Sequence, residues 1–251
     1  MSAAPFDGRV VAVTGSSSGI GAATARAFAD GGAAVLVNSS RSVAEGEAVA
    51  AALPDALYLQ GDITDPAFGD RLVAAALDRW GRLDTLVNNA GTTALIPHQD
   101  LAAASLDVWR RIFEVNVFGT WAMSVAAMPA LREAHGSIVN VASIAGLRPT
   151  GSSIPYVASK AALNHMTVLL AKVVGPEVRV NAVAPGLVDT PWWDFMDAEQ
   201  RKGAFAGFAA RTPVGRVGAP DDIAKAIAFL IGADFVTGHV LTCDGGLRLA
   251  A

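Results

Sequence analysis

Cysteine is nearly absent from this 251-residue chain. Cys243 is the only one, so no internal disulfide is available and nothing marks an oxidising compartment; it reads as a packing residue. Charge is scarce as well, at 17% of residues, and its balance is slightly acidic, with a formal net charge of -4. Nucleic-acid binding needs clustered lysine and arginine and is not expected. The four histidines, His98, His135, His165 and His239, show no metal-binding spacing. Long apolar runs are also missing. Hydrophobic residues form 52% of the chain and mean hydropathy is +0.40, yet Gly, Asn, Asp or Arg breaks every stretch. None reaches the roughly 18 residues of a membrane-spanning helix. The start, Met1 to Gly8, lacks the basic residues and apolar stretch of a secretory signal, so a cytoplasmic protein is expected. Such a chain holds enough apolar mass for one large core and must cover it.

What is present is alternation. Arg9 to Thr14 reads RVVAVT, short, β-branched and continuously apolar, which fits a strand buried on both faces. Further strands are expected at Ala33 to Asn38, Leu57 to Gln60, Thr85 to Asn88, Ser137 to Val141, Arg179 to Val183 and His239 to Thr242. Helical periodicity fills the intervals: after Gly21, Val43 to Leu53, Pro66 to Trp80, Ser105 to Met128, Tyr156 to Val174 and Asp221 to Leu230. Strand–helix alternation along the whole chain predicts one doubly wound, Rossmann-like α/β domain over 1–251, with a parallel sheet of about seven strands and helices on both faces. Residues 186–217 form the least regular segment, too long for a simple connection.

Gly15, Gly19 and Gly21 stand between the first strand and the first helix. Backbone without side chains lets a pyrophosphate approach the helix N-terminus, where free N–H groups and the helix dipole hold it. A plain glycine-rich turn fits the same residues. The second strand ends in Asn38-Ser39-Ser40-Arg41, without the carboxylate that usually binds the adenosine ribose of NAD. Small hydroxyls and a guanidinium suit a 2′-phosphate, so NADP(H) is favoured and NAD(H) stays open. Arg41 as a solvated loop charge is the competing reading, and Ser18 supplies no second basic contact. Asp62 and Ile63 follow the third strand and Asn88 to Gly91 the fourth, both at ligand-binding strand ends. Asp62 fits an adenine contact, and equally a helix cap.

Tyr156 and Lys160 are four residues apart, on one face of a helix. A nearby ammonium stabilises a phenolate and brings the Tyr156 pKa down toward neutrality. Such a pair also occurs as a plain surface pair. Ser143 follows a strand and fits either a carbonyl contact or a helix cap.

Taken in order, Thr14-Gly15-(x)3-Gly19-Ile20-Gly21, Asn88-Asn89-Ala90-Gly91, Asn116, Ser143, Tyr156-(x)3-Lys160, Pro185-Gly186 and Asp244-Gly245-Gly246 resemble the classical short-chain dehydrogenase/reductase family over nearly the whole chain. The resemblance implies a nicotinamide-dependent oxidoreductase acting on a ketone or secondary alcohol. Tyr156 is then the general acid/base, Lys160 lowers its pKa and binds the nicotinamide ribose, and Ser143 polarises the carbonyl. Asn116 supports a water that links Lys160 to solvent. Cofactor contacts fall on Gly15, Ser17, Ser18, Gly19, Ile20, Gly21, Ser39, Ser40, Arg41, Asp62, Ile63, Asn89, Ala90, Gly91, Tyr156, Lys160, Pro185, Gly186, Val188 and Thr190.

The segment after Gly186 is expected to cover the substrate with Leu187, Trp192, Trp193 and Met196, followed by Phe205 and Phe208. Thr93, Leu95, Ile96, Ser143, Ile144, Ile154 and Tyr156 are expected on the other walls. An apolar, bulky or ring-containing substrate follows. The tryptophans equally fit anchors on the body of the fold or on another subunit. No cation is expected among these residues, so a strongly anionic substrate is not. The resemblance further implies a homotetramer, or a homodimer, built across the long helix and the Tyr156 helix, with a second contact at His239 to Ala251. An NAD-dependent alcohol dehydrogenase of the same family and a non-catalytic dinucleotide sensor are the alternatives.

Overall fold

The computed structural model describes residues 4–249, so Met1 to Ala3 of the N-terminal stretch and the last two residues of the expected C-terminal contact lie outside the described residues. Strand β1, Val10–Val13, is completely buried. Its residues alternate between two cores, Val10 and Ala12 on one side of the sheet, Val11 and Val13 on the other. Because both faces are covered, both registers of the strand must be apolar, which produces the unbroken run. Strands β2 (Ala34–Ser39), β3 (Ala56–Gln60), β4 (Thr85–Asn88), β5 (Ser137–Val141), β6 (Arg179–Pro185) and β7 (Val240–Cys243) complete the sheet. Its order is β3-β2-β1-β4-β5-β6-β7, with every pairing parallel.

Helices α1 (Gly19–Asp30), α2 (Val43–Ala51) and α3 (Phe68–Trp80) connect the first four strands. One core packs Phe28 of α1 and, from the later helix α8 (Pro220–Gly232), Ile223 and Ile227 against Val35, Val37 and Val139. The other packs Leu72 of α3 against Leu36, Leu86 and Ile138. From β1 the chain proceeds outward to β2 and β3, then returns to lay β4 on the other side of β1. At that reversal the two crossovers diverge and leave a crevice at the C-terminal strand ends.

Two expected elements differ. The single helix expected over Ser105 to Met128 is α4 (Leu106–Phe113), a π-helical turn at Glu114–Gly119, and α5 (Thr120–Glu133). Val115, Asn116 and Gly119 are weak helix formers, and the Asn116 side chain is engaged elsewhere, so the helix widens there. The segment 186–217 is not irregular throughout. It contains a 3-10 turn at Pro191–Trp193 and the helix α7, Ala198–Arg211. A capping box starts α7: Gln200 N donates to Asp197 Oδ1 at 2.8 Å, and Asp197 N donates to Gln200 Oε1 at 3.3 Å. The D-A-E-Q spacing carries that signal. The remaining helix is α6, Ile154–Val174.

Candidate active site

The glycine turn is held open by its neighbours. Gly15 and Gly19 have φ of +62° and +53°, a region that disfavours side chains. A β-carbon on Gly21 would collide with the Gly15 carbonyl oxygen and with Asn89 Nδ2. Asn89 Nδ2 donates to the carbonyls of Thr14 and Gly15 at 2.9 and 2.8 Å, tying the end of β4 to the turn. Asn38 does the same from β2: its Oδ1 accepts from Gly15 N at 3.2 Å and its Nδ2 donates to Leu59 and Gly61. Ser18 is extended and makes no side-chain cap, and the first turn of α1 holds no acid. Its free N–H groups and positive dipole end are therefore available to an anion.

A single cavity of about 1040 Å³ runs from this turn to the far side of the sheet. Gly15, Ser17, Ser18, Gly19, Ile20, Ser39, Ser40, Arg41, Asp62, Ile63, Asn89, Ala90 and Gly91 line one half. Leu95, Ser143, Ile144, Tyr156, Lys160, Pro185, Gly186, Leu187, Val188, Thr190, Trp192 and Trp193 line the rest. The Ser39 hydroxyl is turned inward, donating to Ser42 O and sharing a hydrogen bond with Tyr58 Oη, both at 2.8 Å. Arg41 is exposed and makes no ion pair among the described residues. Asp62 lines the cavity and caps no helix: its Oδ1 accepts from Thr64 N and Oγ1 in a turn ahead of α3, whose N-cap is Ala67. An elongated cradle with a phosphate-ready turn at one end fits a nicotinamide dinucleotide.

Ser143 stands at the tip after β5, where its hydroxyl accepts from Ala145 N at 3.1 Å while facing the cavity. Tyr156 lies in the first turn of α6, fixed by Pro155 and by Ser153, whose hydroxyl accepts from Tyr156 N at 3.4 Å. Burial pushes the Tyr156 phenol above its ordinary pKa, while the Ser143 hydroxyl pulls it down. The Lys160 Nζ sits 5.8 Å from the centroid of that ring and donates to Val141 O at 2.8 Å. Burial lowers the Lys160 pKa to about 8. Desolvation is the largest influence on both groups in the cofactor-free protein. At neutral pH the phenol holds its proton and is ready to donate it.

Asn116 does not line the cavity. Its amide is used up: Nδ2 donates to Thr92 O at 2.9 Å and Ser159 Oγ at 3.0 Å, and Oδ1 accepts from Thr92 N at 2.8 Å. It pins the loop after β4 to α6, between Tyr156 and Lys160. Gly21 also lies behind the wall, where it lets α1 pack on the turn. Four expected pocket residues are not brought in. Thr93 turns its hydroxyl to Ser152, and Ile96 faces a neighbouring groove. Ile154 precedes Tyr156 by two positions and so points off its face. Met196 sits in the turn after Trp193, its N–H bonded to Trp193 O at 3.0 Å. The tryptophans divide the two roles. Trp193 anchors the segment through Nε1 to Val188 O at 3.0 Å and an edge-on contact with Phe205, while the Trp192 ring lies 6.3 Å from that of Tyr156.

The expectation of substrate-pocket walls without cations does not extend to the cavity as folded. Arg111, Arg148 and Arg211 line it, together with Phe208 and Leu247. No spacing announces them, because they come from four separate elements that only the fold brings together.

Comparison with known proteins agrees with this geometry. The sequence model of the enoyl-(acyl carrier protein) reductase family matches residues 15–248. A ketoacyl reductase named for the granaticin polyketide synthase of Streptomyces violaceoruber is 54% identical over 245 residues, 96% of each chain. The cis-4-hydroxycyclohexanecarboxylate dehydrogenase of Sinomonas cyclohexanicum is 42% identical, over 96% of this chain and 97% of its own. The solved structure of a short-chain dehydrogenase/reductase of the glucose/ribitol dehydrogenase type from Brucella melitensis superposes with a TM-score of 0.89 at 34% identity, covering 97% of this chain and 98% of that one. With its parallel sheet, glycine turn and Ser143, Tyr156 and Lys160 on one cavity, the chain belongs to the short-chain dehydrogenase/reductase family, as a nicotinamide-dependent oxidoreductase acting on CH–OH groups.

Proposed function

We propose that the enzyme interconverts a ketone and a secondary alcohol with an apolar body, using NADP(H). The observation that carries this is the shared cavity: Ser143, Tyr156 and Lys160 line the same space as the glycine turn. A nicotinamide bound there supplies the hydride in reduction and accepts it in oxidation. The protein does the rest. The Ser143 hydroxyl donates to the substrate oxygen and orients it. The Tyr156 phenol gives that oxygen its proton in reduction and takes it back in oxidation. The Lys160 ammonium stabilises the phenolate this leaves behind and offers N–H donors to the ribose. Asn116 acts as a positioning residue through Ser159 and Thr92.

Arg41 at an acid-free strand tip supports NADP(H), and a wholly NAD-dependent enzyme is the second reading. Residues 186–217, which hold Trp192, Trp193 and α7, serve as the substrate cover. The granaticin relative's name supports a keto group carried on an acyl body. Four copies assemble into a homotetramer in the cytoplasm.

The test is a panel of ketones and alcohols followed by cofactor absorbance. Wild-type enzyme is expected to turn over at least one apolar member, and Tyr156→Phe to lose about a thousandfold in kcat while still binding cofactor. Undiminished turnover by Tyr156→Phe sinks the assignment.

A further inference from the structure

The cavity inverts the charge of the molecule. The chain carries a net charge of -4, yet among the described residues the only acid lining the cavity is Asp62, against Arg41, Arg111, Arg148, Arg211 and Lys160. Asp62 and Arg41 stand at the adenosine end, and Lys160 is buried beside Tyr156. Arg148, Arg211 and Leu247 line the same cavity. Arg148 Nη1 donates to Leu247 O at 2.7 Å. Val214 N, three residues after Arg211, donates to Gly245 O at 3.1 Å, which lays the end of α7 on the C-terminal wall.

Among the described residues an aspartate holds six of the fifteen arginines, and Arg211 is not one of them. Arg71, Arg79, Arg82, Arg110, Arg201 and Arg216 each pair with an aspartate, whereas Arg211 makes no ion pair among the described residues. Its guanidinium lies 4.7 Å over the Phe208 ring, held by Nε to Gly207 O at 3.2 Å, and the other donors have no acceptor among the described residues. Arg211 is exposed, and its stacking on the Phe208 ring holds the guanidinium in place by a cation–π attraction. Its planar fork matches an oxyanion.

We infer that the substrate carries an oxyanion at the end away from its reacting oxygen, and that Arg211 receives it beside Leu247. Arg148 holds that wall through its bond to Leu247 O. This deepens the proposed function and rests on it: the ligand is an apolar keto or hydroxy compound with a carboxylate, or a phosphate on an acyl-carrying arm, at its far end.

Two matched probe pairs distinguish the sources. One is a cyclohexanone carboxylate against its amide. The other is a 3-oxoacyl thioester of phosphopantetheine against the same acyl group on neutral N-acetylcysteamine. Binding is read by tryptophan fluorescence and turnover by NADPH absorbance, in wild type and Arg211→Gln. The anionic member of one pair is expected to be favoured about 10- to 100-fold in wild type. Arg211→Gln is expected to reduce that preference to about threefold or less, with the neutral member unchanged. Equal binding of charged and neutral members, or a preference that survives Arg211→Gln, overturns the inference. Reduction of neutral ketones without an anion preference overturns it alone, leaving the oxidoreductase reading intact. Arg211-dependent binding with no reduction of any ketone does the reverse.

Discussion

Lys160 is a buried ammonium whose folded-state pKa is about 8, against 10.5 when exposed. The shift sets a sign. Below pH 8 both states are protonated, and the folded state bears the full cost of burying the charge. Between pH 8 and 10.5 the unfolded chain holds more protons, so stability rises with pH until both states are neutral. The cofactor-free protein should gain up to roughly 3 kcal/mol from this residue across that window. Lys160→Met is expected to lack the rise, which denaturant titrations at pH 7.5 and 10 would measure; parallel curves for the two proteins would refute it. At the other end of the cavity, Arg41→Gln should weaken NADPH binding about tenfold and leave NADH binding unchanged. A parallel loss for both cofactors would make Arg41 a general surface charge. Tyr156, Lys160 and the glycines were legible because their spacing is local. The full use of the Asn116 amide was not, since its partners Thr92 and Ser159 lie far apart in the chain.

Among the elements, α8 ends on an arginine from the sheet. Arg179 on β6 donates through Nη1 to Leu230, Ala233 and Val236 carbonyls and through Nη2 to Ile231 O, at 2.7 to 3.0 Å. Leu230, Ile231 and the cap residue Ala233 offer the carbonyls that a helix C-terminus leaves without partners, and a cation also suits its dipole. Arg179→Gln is expected to cost about 3 kcal/mol of stability, measured by urea unfolding. A shift within error would show that water replaces the guanidinium without loss. The strands are the best example of elements read from sequence, because burial on both faces forces continuous apolar runs. The helix α7 is the counterexample. It buries none of its residues fully, so no strong apolar stripe marks it, and its capping box is the one local signal.

Across the whole molecule, the apolar surplus that sequence composition shows is only partly consumed by the two cores. Phe118, Trp121 and Val125 stay 48% to 54% exposed at helical spacing, and Leu169 and Val173 of α6 are 51% and 72% exposed. The proposed tetramer covers such faces. Light scattering at micromolar concentration is expected to give about four chains, and Trp121→Glu with Val125→Glu to give a smaller species with a folded spectrum. A monomeric wild type would refute the assembly. No helix among the described residues is long and apolar enough to cross a membrane.

By itself the sequence determined the parallel sheet, the crevice at its strand ends, and the set of Ser143, Tyr156 and Lys160 with a glycine turn. The sheet rests on periodicity, which burial on both faces imposes, and the Tyr156/Lys160 pair on helical spacing; Ser143 joined them through the ordered motifs of the family. Only the tertiary structure decided which side chains share the cavity. It removed Thr93, Ile96, Ile154 and Met196 from its walls and added Arg148, Arg211 and Leu247 to them. Those residues come to one cavity through chain closure over long separations, and no local rule of spacing encodes it.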